Sequence, residues 1–147
     1  MSQPHPWCIA FSVDATALER LLEEGSVGGY RDPDPWWVAA DMLATAQAAD
    51  ERLFALLVSG NPARVVRWAV ISEIEVHEVA STRETRVRFS EGGEMNPIFA
   101  ALDAITLRPA EFVLERERRE GLRPRREHLD ATRLQAYAIC ETPACLS

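Results

Sequence analysis

From Val65 to Val79 the chain reads VVRWAVISEIEVHEV. Val66, Trp68, Val70, Ile74 and Val76 fall on one side of a two-residue period, and Arg67, Glu73, Glu75 and His77 on the other. Alternation of β-branched and aromatic residues with charged ones predicts a strand with one buried face. Fifteen residues, drawn out straight, span about 50 Å at ~3.3 Å per residue. A compact chain of 147 residues is only about 40 Å across. The strand must therefore bend and coil, as strands do in small closed or half-closed barrels.

The flanking sequence fills in an α+β arrangement. Pro6–Val13 predicts a first strand, and Asp14 an N-cap for a helix over Ala15–Glu24 that Gly25–Gly29 stops. Tyr30–Pro35 reads as a proline-punctuated loop, followed by a helix over Trp37–Ala49. Arg52–Ser59 is continuously apolar and predicts a strand buried on both faces. Ser59–Pro62 turns that strand back antiparallel to the long one. Ser81–Arg83 predicts another turn, Glu84–Ser90 a strand and Glu91–Gly93 a further turn. Asn96-Pro97 predicts a helix with Ile98, Ala101, Leu102 and Ile105 on one face, and Pro109 a helix over Ala110–Glu120. Gly121–Arg126 is a basic loop around Pro124, and Leu134–Cys140 a closing strand. The first and last strands are both apolar and can pair to close a barrel, giving one domain over residues 1–147.

Composition narrows the function classes. Hydrophobic residues at 47% and charged residues at 27% are those of a soluble globular domain. The longest apolar runs are too short to cross a bilayer, and no signal peptide is read at the start, so no membrane partner is expected. Three cysteines make no disulfide framework and point to a reducing cytoplasm. A net charge of −7 argues against a general nucleic-acid coat. The charge is uneven, however: residues 1–107 carry eight arginines and sixteen acids, residues 108–133 eight arginines and six acids. Every basic residue is arginine, a planar fork suited to phosphate and to stacking.

Between Trp36 and Ile74 the order of features resembles the EVE domain, a branch of the PUA-like superfamily that also contains the ASCH domains. The parts are Trp36-Trp37-Val38, the helical AADMLATAQAA, Asp50, the strand Arg52–Ser59, Pro62 and the strand Val66–Ile74. The family's usual Gly-Asp step is Ala49-Asp50 here, and Leu57-Val58 stand where aromatic residues often precede the serine. The resemblance implies a small mixed or antiparallel β-barrel of PUA-like type with inserted helices. Its pocket would capture a flipped, often modified, base of DNA or RNA, which favours a non-enzymatic module as the first reading. Trp36 or Trp37 would line it and Ser59 would stand at its mouth.

Read by themselves, the residues leave alternatives open. Trp36 and Trp37 are either a stacking wall or core, and Tyr30, just upstream, is a further candidate ligand contact. Trp68 lies on the inward face and reads as core. Arg118, Arg119, Arg123, Arg125 and Arg126 are candidate phosphate contacts or a solvated helix end. His5, Cys8, Cys140 and Cys145 have zinc-ligand chemistry, but Cys8 and Cys140 sit in apolar strands, so no metal or cofactor is expected. Glu73, Glu75 and His77 share a solvated strand face, and neither they nor His5 and His128 are paired by the sequence with a nucleophile. Three functions follow in order: a module binding nucleic acid or a nucleotide, a protein-interaction module, and a small ASCH-like RNA or nucleotide hydrolase. An unpaired edge on Glu84–Ser90 would also allow a homodimer.

Overall fold

Helices are inserted between strands in the computed structural model, which describes residues 2–24, 29–123 and 125–146, the side chains of Glu23 and Glu24 apart. In chain order they are β1 (Gln3–Pro4), β2 (Trp7–Ser12), α1 (Ala15–Glu24), β3 (Tyr30–Asp32), α2 (Trp37–Ala48) and β4 (Glu51–Arg52). Then come β5 (Phe54–Ser59), β6 (Arg64–Val79), β7 (Thr82–Glu94), α3 (Glu111–Glu120) and β8 (Ala138–Glu141). The helix stop at Gly25–Gly28 and Pro124 of the basic loop lie outside the described residues. No described helix is long and apolar enough to cross a membrane.

Six strands form one mixed sheet in the order β3-β7-β6-β5-β2-β8, with β2 and β5 parallel and the other neighbours antiparallel. β2 and β5 are apolar on both faces because both faces are covered. Ile9, Phe11, Ala55 and Leu57 meet α1 and α2 through Leu21, Trp36, Ala39 and Leu43. Cys8, Ala10, Phe54, Leu56 and Val58 meet Met95, Ile105, Leu107, Leu129 and Leu134 from the opposite side. Burying side chains of this size stabilises by roughly 1.5–3 kcal/mol each.

Much of that second cover is a strap of chain from Met95 to Leu107, with Leu129 and Leu134 beside it. It bonds to β6 through Val65 N donating to Ala100 O at 2.8 Å and a bridge between Arg64 and Ala101. Its far end bridges Leu107 to Cys140 on β8. The first and last long strands do pair, with Cys8 opposite Cys140. Among the described residues the six strands do not close into a barrel.

β6 bends where its register slips, opposite Leu57–Val58 and again around Ile71. Each slip shifts the alternation by one residue. Trp68 and Val70 pack into the second cluster, whereas Ala69, Ile71 and Ile74 pack into the first. The single buried face expected from Val66 to Val76 is thus split between two cores.

Four other expectations are corrected. The helix expected from Asn96 is two 3-10 turns, Pro97–Phe99 and Leu102–Ala104. The Asn96 side chain accepts from Ile98 N at 2.9 Å and starts a turn, but Ala101 is extended (φ −70°, ψ 138°) to reach Arg64 and breaks it. Gly92 and Gly93 are not a turn but part of β7, because β6 comes too close for a side chain. A Cβ at Gly92 would lie 2.8 Å from Trp68 O, and one at Gly93 3.1 Å from the Trp68 indole. Tyr30–Asp32 is not loop but β3, pairing with Thr85–Val87. It occupies the β7 edge on which the homodimer was expected. The closing strand starts only at Ala138, since Ala136 has φ 62° and Ala131–Arg133 is a 3-10 turn.

Candidate nucleic-acid interface

Trp36 and Trp37 separate at the start of α2. Trp36 is fully buried, its ring 4.7 Å from that of Tyr137, 5.2 Å from Phe11 and 6.1 Å from Tyr30. Its backbone N–H donates to Thr85 Oγ1 at 3.0 Å, which ties α2 to β7. The indole Nε1 is buried without an acceptor among the described residues. Trp36 is therefore core rather than the wall of an open pocket, because helix and sheet close over it. Trp37, one residue on, is 51% exposed.

The other expected ligand contacts do not converge. Ser59 pairs with Arg64 at the β5–β6 turn and lines none of the arginine-lined hollows around α3. The Tyr30 hydroxyl donates to Ser12 O at 3.3 Å, and burial together with the neighbouring Asp32 pushes its pKa up to about 12. Tyr30 borders a hollow of about 600 Å³ with Asp14, Arg20 and Arg31. Trp68 lies 5.8 Å from Phe54, edge to face, in the second cluster, and a mostly apolar groove of about 240 Å³ under α1 is lined by Leu18, Leu21, Leu57 and Phe89 on the other side. That groove falls below the usual range for small-molecule sites.

The thiols are poor nucleophiles here. Burial raises the pKa of Cys8 well above its ordinary value and that of Cys140 to about 12. His5 is buried and bonds its own neighbour, Nδ1 accepting from Trp7 N at 3.0 Å. Cys145 is exposed, and no group of three or more potential metal ligands assembles among the described residues. On the solvated face of β6, His77 Nε2 lies 3.1 Å from Glu75 Oε2. A hydrogen bond from Glu73 lowers the Glu75 pKa and raises that of Glu73.

The arginines do gather, though not quite as a run of sequence. Three adjoining hollows of about 600, 330 and 360 Å³ lie between α3, the strap end and the segment 125–139. Glu127 lines all three, and Arg108, Arg116, Arg125, Arg126 and Arg133 line one or more. The largest also has an apolar wall made by Val38, Pro109, Tyr137 and Ile139. The cleft is built on fixed backbone. Leu107 N donates to Glu127 O, Leu129 N to Ile105 O and Arg108 N to Ile139 O, each at 2.9 Å. Tyr137 is held by its hydroxyl, which accepts from Ala39 N at 3.2 Å, and by the left-handed Ala136 beside it. Non-glycine residues with positive φ cost of order 1 kcal/mol or more and persist only where their surroundings demand them.

Charge in the cleft is only partly neutralised. Arg126 sits between Glu117 at 2.9 Å and Glu141 at 3.3 Å, and Arg123 also reaches Glu141 at 3.1 Å. Arg108 pairs with Glu111 at 2.8 Å and lies over the Trp7 ring at 5.2 Å. Arg133 reaches Glu127 at 3.2 Å. Arg116 and Arg125 form no ion pair among the described residues. Of the arginines expected on phosphate, Arg125 and Arg126 line the cleft. Arg123 stands beside Arg126 on Glu141, and Arg118 and Arg119 lie on the exposed end of α3, Arg118 taken up by Glu111 at 3.1 Å. Sequence reasoning missed Arg108, Arg116, Arg133 and Tyr137. The available signal was the arginine excess over the whole of 108–133, not its densest run.

The chain was compared with family models, curated proteins and solved structures, and none of the three comparisons returns a match.

Proposed function

We propose that the chain is a non-enzymatic binding module for a nucleotide or single-stranded nucleic acid, acting in a reducing cytoplasm. Phosphate lies on Arg116 and Arg125, and a base lies against Tyr137. One observation carries this reading: in a chain of net charge −7, five arginines line three adjoining hollows, and two of them have no carboxylate partner among the described residues. Arginine suits this task, since its fork matches phosphate oxygens and its plane stacks on bases. The apolar wall beside the charge supports the usual division, in which phosphate contacts position and base contacts specify. A PUA-like barrel is the fold this reading favours. The β2–β8 pairing and the strap from β6 to β8 both support it.

The test is a fluorescence anisotropy titration with short single-stranded DNA and RNA at low and moderate salt. Saturable binding by the wild type that falls at least tenfold in Arg116→Glu/Arg125→Glu supports the reading. Equal affinity in the two proteins, or no binding by either, overturns it.

A second reading is a protein-interaction module. It rests on Trp37, Val38 and Phe112, apolar and 51%, 57% and 70% exposed on the first turns of α2 and α3. Those first turns flank the cleft through Val38 and Ala110.

A further inference from the structure

Two acids line the hollows among the arginines, Asp130 in one of them and Glu127 in all three. Glu127 is a poor neighbour for phosphate, so its presence there asks for another role. Its backbone is fixed: the carbonyl accepts from Leu107 N at 2.9 Å, and the next residue, His128, bridges to Thr106. Its side chain is 70% exposed, held by Arg133 at 3.2 Å through Oε2, while Oε1 has no hydrogen bond among the described residues. An exposed pair of this kind contributes little to stability and yields readily to a better donor. The carboxylate therefore lies open on a hollow that Tyr137 and the aliphatic Val38 and Ile139 also line.

A carboxylate accepts and cannot donate. Both its oxygens are satisfied by a flat ligand that offers two neighbouring N–H groups on one edge. Among the standard bases, guanine does so with N1–H and N2–H₂. Adenine sets N6–H₂ beside the N1 acceptor, cytosine sets N4–H₂ beside the N3 acceptor, and uracil has one N–H between two carbonyls. Hydrogen bonds to an ionised acceptor are about twice as strong as neutral ones, and a lone pair facing the carboxylate is repelled.

We propose that Glu127 reads the base and that the cleft is selective for guanine, with Tyr137 as the platform and Arg116 and Arg125 on the attached phosphate. This inference rests on the cleft being the nucleotide site. The guanine can come from a free nucleotide or from a strand.

The experiment is calorimetric titration of the full chain with GMP, IMP, AMP and CMP. A second arm uses pentanucleotides carrying one central guanine or adenine in a thymine background. Bidentate readout discriminates by about tenfold or more. GMP binds at least tenfold tighter than AMP or CMP, and IMP, which keeps N1–H and lacks the 2-amino group, falls between. Glu127→Gln, an exposed substitution, brings GMP to within about twofold of AMP. Preference in the first arm alone identifies a free nucleotide, and preference in the second arm alone a strand. Equal affinities for guanine and adenine in both arms, abolished together by Arg125→Glu, overturn the role of Glu127 and leave the cleft as a nucleotide site. A guanine preference that survives Glu127→Gln also overturns it. No binding of any nucleotide or strand removes the cleft reading and this inference with it.

Discussion

The β6–β7 hairpin and the cleft beside α3 are both rich in arginine, and they treat it differently. On the hairpin the register sets Glu73 opposite Arg88, Glu75 opposite Arg86 and Glu78 opposite Arg83. Two of these become ion pairs, Arg83 to Glu78 at 3.3 Å and Arg88 to Glu73 at 3.9 Å, while Arg86 reaches Glu84 on its own strand at 3.7 Å. Around the cleft the arginines come from a helix, a loop and a 3-10 turn with no shared register, and among the described residues Arg116 and Arg125 have no carboxylate partner. An antiparallel ladder pairs opposite charges wherever the sequence alternates them. Irregular chain does not, so unspent positive charge collects where the ladder ends. Arginine number is thus a poor guide to an anion site; arginine without an opposite number is a better one.

The largest effect tests whether both regions hang on one core. Trp36→Ala removes a fully buried indole in contact with Phe11, Tyr30 and Tyr137. It is expected to cost about 3–5 kcal/mol and to lower the melting temperature by on the order of 10 °C. Trp37→Ala, half exposed, is expected to stay within about 1 kcal/mol of wild type in the same melts. Equal losses in the two variants would mean that the neighbouring tryptophans share one role.

The next effect sharpens the contrast itself. Arg116→Glu/Arg125→Glu is expected to weaken oligonucleotide binding at least tenfold and to flatten its salt dependence by about 1.4 in log–log slope, as loss of two phosphate contacts on a single strand requires. Arg86→Glu/Arg88→Glu, the same charge change on the hairpin, should alter affinity less than twofold. Comparable losses from both pairs would show that net charge alone governs binding.

The smallest effect concerns acid. Glu75 has its pKa lowered by the hydrogen bonds from Glu73 and His77, so its contribution is present above the ordinary carboxylate range and is lost as pH falls through the lowered value. Glu73 has its pKa raised, chiefly by the hydrogen bond with Glu75, so its contribution is present in acid and is lost as pH rises through the raised value. The two oppose each other, and both groups are exposed. Melting temperature between about pH 3 and 6 should therefore hardly register the pair in the wild type. In Glu73→Gln only the Glu75 limb remains, and the melting temperature should decline slightly more on acidification. A smaller decline than wild type would reverse the assignment of the two shifts.

Much of the frame was legible because periodicity reports burial. The apolar runs of β2 and β5, the Asp14 cap (Oδ1 accepting from Ala17 N at 2.7 Å) and the length of β6 all lay open in the residues. What escaped depends on tertiary contact. Tyr30–Asp32 carries no strand signal and is extended because β7 offers a partner. The helix after Asn96 has good local signals and is interrupted because Ala101 is drawn onto Arg64. The cleft was half legible: the arginine excess marked the region, but Tyr137 read as an ordinary strand residue. It takes the left-handed Ala136 and the fold of 125–139 against the strap to bring Tyr137 to the same hollow as Arg108 and Arg133.

The close approach of β6 to β7 has a consequence for how this sequence can vary. At Gly93 the obstacle to a side chain is the Trp68 indole, whereas at Gly92 it is the Trp68 carbonyl. A change to alanine at position 93 is therefore repairable by a smaller residue at 68, and the two positions should drift together among related chains. Position 92 has no such partner, because backbone cannot be exchanged, and it should stay glycine whatever stands at 68. In a library randomised at 68, 92 and 93 the survivors would show one correlated pair and one invariant site.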